Sequence, residues 1–318
     1  MNNYAMNSAK NAPITDLHQP QRVIPLVIIA PVRDEADLIE LTLDSMIAQT
    51  CRPLEWVIVD DGSSDNTAEI VRKYAEKYDF IRLVQRPDRG FRKVGGGVVA
   101  AFKFGITQIL HHDYTYIAKL DGDMSFGPKY LETMMEKFEQ LPRLAAVSGK
   151  VFREEGGEKI EEAIIDEHVA GQFKLYRRSA FEEIGGFIEE VLWDGIDVHT
   201  ARMKGWQTLS FLHQDAILMH HRLMGSSDQH VYRGRLRWGR GIWFMGYHPL
   251  YAFASACFRM REKPFIVGGL LIFIGYCWAA LKRVPRYDNP EFRRYLQSWQ
   301  MAQLKLPFLK APTSKKPE

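Results

Sequence analysis

Hydrophobic and polar positions alternate along the first half of the chain so that strands and helices are predicted by turns. Four runs rich in β-branched residues have the length of strands, at 23–30, 54–59, 81–84 and 114–120. Segments with helical spacing of apolar residues lie between them, at 37–49, about 65–75 and 95–110. This alternation predicts an α/β fold with a mainly parallel central sheet and flanking helices, in which ligands bind outside the carboxyl ends of the strands.

The pattern loosens past Pro128 and changes in composition further on. It predicts a helix at 129–140, a strand at 145–151 and a helix at 160–169, and from about Met224 onward aromatic residues and arginines dominate. We therefore predict a flexible N-terminal arm, two halves of one α/β domain and a helical C-terminal region, at 1–21, 22–125, 126–223 and 224–318. The arm is polar and lacks the apolar core of a signal peptide, which favours a cytoplasmic protein.

One apolar segment lies within the C-terminal region. Phe265–Leu281 is free of charged residues and is at the lower limit of length for a membrane-spanning helix. Basic residues flank it on both sides, at 259, 261, 263, 282, 283 and 286. A helix buried in the protein core also fits the segment. The flanking charge favours a helix in the interface of an anionic membrane, so we predict peripheral or monotopic attachment to the cytoplasmic face.

Composition narrows the classes of function further. Hydrophobic residues make up 46% and charged residues 25% of the chain, which excludes wholesale disorder. The net charge of +3 is too small to indicate a nucleic-acid partner. Positive charge is concentrated between 222 and 261, where seven arginines accompany Asp228. Three widely spaced cysteines exclude a disulfide scaffold or a cysteine-rich zinc module and suit a reducing cytosol.

Acidic and glycine-rich loops follow the predicted strands. Asp60-Asp61 ends the second strand, Asp121-Gly122-Asp123 ends the fourth, and Gly95-Gly96-Gly97 opens a helix. Two carboxylates on one tight loop suit a divalent cation that also binds phosphate, and glycine allows a ligand to approach the backbone closely. Each loop also has a plain structural explanation as a solvated turn or a helix cap, and the glycine run lacks the spacing of a Rossmann or Walker loop.

Taken in order, these motifs resemble the family 2 glycosyltransferases, which have the GT-A fold of nucleotide-diphospho-sugar transferases. The resemblance covers about residues 22 to 222, and the motifs that carry it are Val27-Ile28-Ile29-Ala30-Pro31-Val32-Arg33-Asp34-Glu35, Val57-Ile58-Val59-Asp60-Asp61-Gly62-Ser63-Ser64-Asp65-Asn66-Thr67, Leu120-Asp121-Gly122-Asp123, Tyr176-Arg177-Arg178, Ile184-Gly185-Gly186-Phe187, Trp193-Asp194 and Gly205-Trp206. It implies that 22–125 binds the nucleotide-sugar and that 126–223 forms the acceptor side.

The resemblance also implies roles for single residues. Those that would bind the nucleotide are Pro31, Val32, Arg33, Glu35, Asp60, Asp61, Lys93, Asp121 and Gly122. Those that would hold Mg²⁺ or Mn²⁺ on the diphosphate are Asp123 with Asp121, and the later histidine that often completes the site, at His220 or His221. Arg92 and Arg222 are the basic residues expected to face the phosphates. The plain explanation of the histidine pair is packing, and that of the basic residues is ordinary solvated charge.

Two positions depart from the family pattern. Many relatives have Glu-Asp where this chain has Asp194-Gly195, so the catalytic base is either Asp194 or Asp197; Asp194 is favoured because it directly follows Trp193. Processive polysaccharide synthases carry Gln-x-x-Arg-Trp, whereas this chain reads Gly234-Arg235-Leu236-Arg237-Trp238. Since the glutamine is replaced and no stack of spanning helices is predicted, processive export is not expected.

These features predict an inverting, metal-dependent glycosyltransferase. It would move a sugar, by default from a UDP-sugar, to a hydroxyl of a glycan or lipid-linked acceptor in cell-surface polysaccharide or glycolipid synthesis. A sugar nucleotidyltransferase would carry a glycine-rich loop after the first strand, and a dinucleotide oxidoreductase would carry G-x-G-x-x-G there. The loop here, Pro31-Val32-Arg33-Asp34-Glu35, contains no glycine, which argues against both classes. A non-catalytic scaffold subunit that binds nucleotide-sugar is the alternative from another class, and it should lack an acidic loop or the late carboxylate.

Overall fold

The structure is a computed structural model that describes residues 21–87, 96–162, 164–222 and 231–305. Its strands are β1 (Arg22–Val32), β2 (Cys51–Asp60), β3 (Ile81–Gln85), β4 (Tyr116–Leu120), β5 (Met124–Phe126), β6 (Leu144–Glu155), β7 (Glu158–Glu161), β8 (Phe173–Arg177), β9 (Gln207–Phe211) and β10 (Ile217–His220). Its helices are α1 (Ile39–Ile47), α2 (Thr67–Lys77), α3 (Gly96–Thr107), α4 (Tyr130–Gln140), α5 (Arg178–Glu183), α6 (Trp193–Met203), α7 (Val231–Met245), α8 (Pro249–Arg259), α9 (Val267–Leu281) and α10 (Pro290–Lys305). The proposed N-terminal arm lies outside the described residues, apart from Gln21.

The central sheet is buried on both faces, which explains why its first strands are continuous apolar runs. Along β1, Leu26, Ile28 and Ala30 pack into one hydrophobic cluster, while Val27 and Ile29 pack into the other. Successive side chains of a strand point to opposite faces, so one strand contributes to both layers. Helices α1, α2 and α4 cover the first face, and α3, α5 and α6 cover the second.

The sheet is mixed, so the prediction of a mainly parallel sheet is correct only for its first part. Strands β3, β2, β1 and β4 are parallel neighbours. Beyond β4 the order continues β8, β6, β10 and β5, with β8 antiparallel to both β4 and β6 and with β5 antiparallel to β10. Strands β7 and β9 also pair with β6. Short connections such as the β6–β7 turn return the chain directly, and this favours antiparallel pairing.

The helix predicted at 160–169 does not form. Residues 158–161 are strand β7, and the described residues that follow, up to β8, are irregular. Glu162 and Ala170 are buried in this irregular stretch while Ile165 is more than half exposed. The apolar residues of this stretch are placed one by one and not by helical periodicity, since Ile164 packs against the first hydrophobic cluster and Val169 belongs to the second.

Four C-terminal helices pack against the α/β domain and against one another. Helices α7 and α9 cross closely at two glycines. A Cβ on Gly239 would overlap the carbonyl of Ile272, and a Cβ on Gly275 would overlap the carbonyl of Leu236. Helix α10 joins the domain through Phe292 and Leu296, which pack with Ile196 of α6 and Met245 of α7. No helix among the described residues is both long enough and apolar enough to cross a membrane.

Candidate functional site

The ends of β1 and β2 form one side of the site. Val32 pairs with Asp60 in the parallel register, and the amide of Asp61 donates to the carbonyl of Val32 at 2.9 Å. Asp61 accepts a hydrogen bond from Arg86 at 2.8 Å through its carboxylate and one from Arg33 at 2.9 Å through its carbonyl. The neighbouring Asp60 faces inward, where it accepts from the amide of Ser63 and from the side chain of Gln85. Asp60 therefore holds the loop that presents Asp61.

The loop after β4 carries the paired carboxylates. Asp121 accepts a 2.5 Å hydrogen bond from the buried ammonium of Lys119, which also donates to the carbonyl of Gly171 at 2.8 Å. Gly122 lies close to β1, since a Cβ there would be 2.9 Å from Cγ1 of Val32. A larger residue would push the loop away from the strand. The glycine thus sets the distance between the acidic loop and the end of β1.

Asp123 belongs to a buried network that spans three parts of the fold. One of its oxygens, Oδ2, lies 3.5 Å from Nε2 of His220 at the end of β10, and the other ring nitrogen of His220 lies 3.0 Å from Glu162. Arg222 lies 3.9 Å from the same oxygen of Asp123 and forms a two-point ion pair with Glu35, at 2.7 and 3.0 Å. The loops after β1, β4 and β10 are therefore linked by charge.

These contacts change the pKa values of the network. Burial alone lowers the pKa of His220, but hydrogen bonds to the Asp123 and Glu162 carboxylates outweigh it and raise this pKa to about 10. Burial opposes ionisation of Asp123, yet the His220 hydrogen bond holds the pKa of Asp123 below its usual value. Burial raises the pKa of Asp121 despite the nearby Lys119 ammonium. Asp123 is the carboxylate of the pair that is better stabilised as an anion.

The network has one unsatisfied acceptor. Oδ1 of Asp123 is buried and has no hydrogen-bond partner among the described residues, a condition that is costly for a carboxylate oxygen. Across the described ranges, no group of three or more His, Cys, Asp and Glu side chains is placed to hold a metal ion by itself. Asp123 and His220 can supply two ligands. The contact between His220 and Glu162 is of the kind that orients a metal-binding histidine.

Helix α6 places the two late carboxylates in different environments. Asp194, in the first turn, is half-buried and lies beside Gly171, on which a Cβ would be 3.2 Å from Oδ2 of Asp194. Asp197, one turn later, is fully buried and accepts hydrogen bonds from Lys174 at 2.8 Å and from Tyr176 at 2.9 Å. Burial raises the pKa of Asp197 to about 6. Asp197 fills a position within the core, whereas Asp194 faces open space.

That open space is a cavity of about 1170 Å³ in which most of the predicted site residues meet. We call its acidic side the strand-end floor, lined by Pro31, Val32, Arg33, Glu35, Asp61, Lys119, Asp121, Gly122, Asp123, His220 and Arg222. Asp194 lines the same cavity, and Lys119 joins the two, because the Gly171 carbonyl that it binds belongs to the residue beside Asp194. The ends of separate strands and the start of α6 therefore form one site.

The cavity continues between the C-terminal helices. We call this part the helical arm, lined by Leu192, His199, Trp238, Met245, Tyr247, Tyr251, Ala254, Ser255, Phe258, Arg259, Trp299 and Leu304, with His168 beside Asp194. Four of its rings form a continuous wall, with centroids 5.6 Å apart for Tyr247 and Tyr251, 6.2 Å for Tyr251 and Trp299, and 4.7 Å for Trp299 and His199.

Some predicted residues lie elsewhere. Asp60 and Asp197 do not line the cavity, and His221 is exposed, with its Nε2 2.7 Å from Oγ of Ser125. Lys93 and Arg92 lie outside the described residues. The sequence reasoning missed Lys119, Glu162, His168 and the residues of the helical arm. Lys119 lies two residues before Asp121 on a buried strand. Because a buried lysine usually has a charged partner, its presence there could have indicated the site.

The family model for glycosyl transferase family 2 matches residues 27–187, which is about half of the chain. The chain belongs to glycosyl transferase family 2. This confirms the resemblance seen in the motifs. The matched stretch ends before α6, so Asp194 and the helical arm lie beyond it.

Curated relatives of this family 2 chain include the poly-beta-1,6-N-acetyl-D-glucosamine synthases of two staphylococci. The protein from Staphylococcus aureus strain MSSA476 is 27% identical over 228 residues, which cover 65% of this chain and 52% of the relative. The protein from Staphylococcus epidermidis is 27% identical over 197 residues, which cover 56% of this chain and 45% of the relative. The chain therefore spans about half the length of these relatives.

Two solved structures show the fold. The mannosyltransferase PcManGT from Pyrobaculum calidifontis, in complex with GDP-Man and Mn²⁺, has a TM-score of 0.50 at 17% identity and covers 92% of this chain and 91% of its own. The S. aureus TarS fragment 1–349 has a TM-score of 0.51 at 14% identity and covers 87% of this chain and 82% of its own. The family 2 chain thus has a GT-A-like α/β fold with a mixed sheet and flanking helices.

Proposed function

We propose that the protein is an inverting, metal-dependent glycosyltransferase that moves a sugar from a nucleotide-diphospho-sugar to an acceptor hydroxyl. The observation that carries this proposal is the shared cavity, which brings the carboxylates of the Asp121-Gly122-Asp123 loop together with Asp194 on α6. Acidic loops at strand ends are suited to a metal-bound diphosphate, and a separate carboxylate across the cavity is suited to activating an acceptor.

The strand-end floor would bind the nucleotide. Asp61 would accept hydrogen bonds from the base, with its position fixed by Arg86 and Asp60. Arg33 and Glu35 would complete the pocket together with Pro31 and Val32. Arg222, held by Glu35, would face the diphosphate. We keep a UDP-sugar as the donor, and the name of the staphylococcal relatives makes N-acetylglucosamine the first sugar to test.

A divalent cation fits beside Asp123. Oδ1 of Asp123 is buried without a partner among the described residues, and His220 is oriented by Glu162 as metal-binding histidines commonly are. Asp123 and His220 would hold Mg²⁺ or Mn²⁺, with Asp121 nearby, and diphosphate oxygens would complete the ligand set. His220 would first have to lose the proton that its high pKa retains. When bound, the cation would neutralise the negative charge that develops on the diphosphate.

Asp194 would act as the base. It would accept the proton of the acceptor hydroxyl as the hydroxyl oxygen bonds to the anomeric carbon and the bond to the diphosphate breaks on the opposite face. One displacement of this kind inverts the anomeric centre. Asp197 is a poor alternative because Lys174 and Tyr176 occupy its carboxylate.

We also propose that α8 and α9 attach the protein to an anionic membrane. Ten large apolar side chains on these helices and their connection are at least 44% exposed, and we call them the apolar face: Leu250, Phe253, Phe258, Phe265, Ile266, Val267, Leu270, Ile274, Trp278 and Leu281. Arg261, Lys263, Lys282 and Arg283 are exposed at its ends. An apolar surface bordered by cations is suited to lying within the headgroup region of anionic lipids.

The test is release of nucleoside diphosphate from UDP-N-acetylglucosamine, UDP-glucose and GDP-mannose by the full chain in Mn²⁺, in Mg²⁺ and in EDTA. We expect release from one donor in Mn²⁺, and its loss in EDTA and in Asp123→Ala. Asp79→Ala, which removes a carboxylate that is 84% exposed, is the matched control. Donor binding without release in any metal would favour the scaffold subunit, and full activity in EDTA would refute the metal.

A further inference from the structure

The cavity is larger than a single ligand requires. Sites for small molecules usually enclose about 300–1,000 Å³, and this cavity encloses about 1170 Å³. The strand-end floor accounts for one end, where all the acidic residues of the proposed donor site lie. The helical arm begins on the other side of Asp194, so a second molecule placed there would meet the proposed base.

We propose that the helical arm binds a saccharide, and that this saccharide is the acceptor whose hydroxyl reaches Asp194. The inference rests on the proposed function and names its acceptor class. The residues concerned are His199 on α6, Tyr247 just before α8, Tyr251 on α8 and Trp299 on α10. All four lie beyond the stretch matched by the family model, on α6 and on the C-terminal helices and their connections.

The aromatic wall suits the faces of sugar rings. Pyranose rings have apolar C–H faces and hydroxyl edges, and flat aromatic rings with polar tips match both. Tyr251 and Trp299 are both partly exposed and line the cavity, and their ring centroids lie 6.2 Å apart with the planes inclined by 59°, so they form a bent aromatic surface. Nε1 of Trp299 donates to Glu167 at 3.3 Å, which holds that ring in place.

An unmet hydrogen-bonding demand lies at the inner end of this wall. His199 is 7% exposed, lines the cavity, and has an Nδ1 atom with no hydrogen-bond partner among the described residues. Burial lowers the pKa of His199 to about 3 and that of His168 to about 4, so both rings are neutral donors and acceptors at neutral pH. Sugar hydroxyls also donate and accept hydrogen bonds, so a saccharide in the arm offers His199 the kind of partner that it lacks.

The outer end of the arm lies beside the apolar face. Phe258 lines the cavity and is also 61% exposed on α8, and Arg259 lies 4.0 Å over the ring of Trp238 next to it. Besides its apolar side chains, the arm is lined by the hydroxyl groups of Tyr247, Tyr251 and Ser255 and by the imidazole of His199, with which an alkyl chain could form no hydrogen bonds. The lining therefore favours a saccharide over a lipid chain inside the arm.

The experiment measures binding of the full chain to an array of gluco-, galacto-, manno- and N-acetylglucosamine oligosaccharides of two to six units, with dodecyl phosphate as the apolar probe. The variants are Tyr251→Ala, Tyr251→Phe and His199→Phe, and Tyr232→Ala removes an exposed tyrosine of α7 outside the cavity as the matched control. Donor binding and thermal stability are measured on every variant.

We expect the wild type to retain at least one saccharide series, and Tyr251→Ala and His199→Phe to weaken that binding about ten-fold or more. Tyr251→Phe should keep most of the binding, and Tyr232→Ala all of it. His199→Phe should melt at the same temperature as the wild type or higher, because it removes an unsatisfied buried nitrogen. A residue with a purely structural role would lower the melting temperature.

Three results would overturn the inference. In the first, the wild type binds the donor but no saccharide. In the second, the wild type binds dodecyl phosphate and Tyr251→Ala abolishes that binding. In the third, saccharide binding is unchanged in both Tyr251→Ala and His199→Phe. In each case the donor measurements still stand, so the proposed transfer reaction is judged separately. A wild type that binds no nucleotide-sugar at all would refute the proposed function itself.

Discussion

The two ends of the cavity are built by different means. The strand-end floor is dominated by charged side chains, most of them paired, such as Lys119 with Asp121 and Arg222 with Glu35, while Oδ1 of Asp123 is buried without a partner among the described residues. The helical arm is lined mainly by aromatic and other uncharged side chains, with Arg259 among them, and His199 there has a buried nitrogen without a partner among the described residues. A paired network keeps its geometry before a ligand arrives, whereas unpaired polar atoms identify where a ligand has still to contribute.

The same contrast separates the two carboxylates of α6. Asp197 is part of a satisfied buried network, and Asp194 faces the cavity one turn earlier. A carboxylate that already accepts two hydrogen bonds in the core is suited to stability, and one that faces both ends of the cavity is suited to chemistry. The comparison therefore predicts opposite consequences for two otherwise equivalent substitutions.

The largest effect is expected from Asp194→Asn. Removal of a general base typically costs about 10²–10⁴-fold in turnover, so kcat should fall by that amount while donor affinity stays within a few-fold. The measurement is steady-state transfer alongside donor binding by calorimetry. If Asp194→Asn keeps its turnover, Asp194 is not the base.

The next effect concerns Asp197→Asn. The substitution leaves Lys174, whose side chain is fully buried, without its counter-charge, so we expect a loss of about 3–5 kcal/mol in the free energy of unfolding. The double variant Asp197→Asn with Lys174→Met should regain most of that loss, because neither charge remains buried. Denaturant unfolding of the single and double variants measures both. A stable Asp197→Asn protein without turnover would instead make Asp197 the base.

The strand-end floor could be predicted from sequence because its residues are local to strand ends. Asp61 and Asp121 directly follow buried strands, with Asp123 two residues further on, and parallel strands bring such ends together. The mixed half of the sheet could not be predicted in this way, since β8 and β6 pair through backbone contacts that leave little trace in short apolar runs. The sequence favoured Asp194 over Asp197 only by its position after Trp193, and the full burial of Asp197 supports that preference.

The helical arm could not be predicted at all, because its wall is assembled from residues far apart in the chain. His199, Tyr251 and Trp299 lie on three helices, and no two of them share a motif. The aromatic composition past Met224 indicated a surface or a membrane boundary, and the structure shows that part of it turns inward to the cavity while part remains on the apolar face. Periodicity within one helix does not specify which partner covers it.

The smallest effect concerns the outward part of the same helices, where the arm opens beside the proposed membrane surface. Ile274 and Trp278 are 44% and 61% exposed on α9. The double variant Ile274→Glu with Trp278→Glu should therefore keep the fold intact and be repelled by anionic lipid. Each charge near such a surface changes the binding free energy by about 1 kcal/mol, less in high salt. We expect the double variant to lose flotation with phosphatidylglycerol vesicles at low salt, while Leu110→Glu, 63% exposed on the α/β domain, floats like the wild type. Because the two substitutions lie outside the cavity, turnover of a water-soluble acceptor should be unchanged in both. Equal flotation of all three proteins would contradict attachment through α9, and absence of the wild type from the vesicles would leave the helical arm to receive its acceptor from solution.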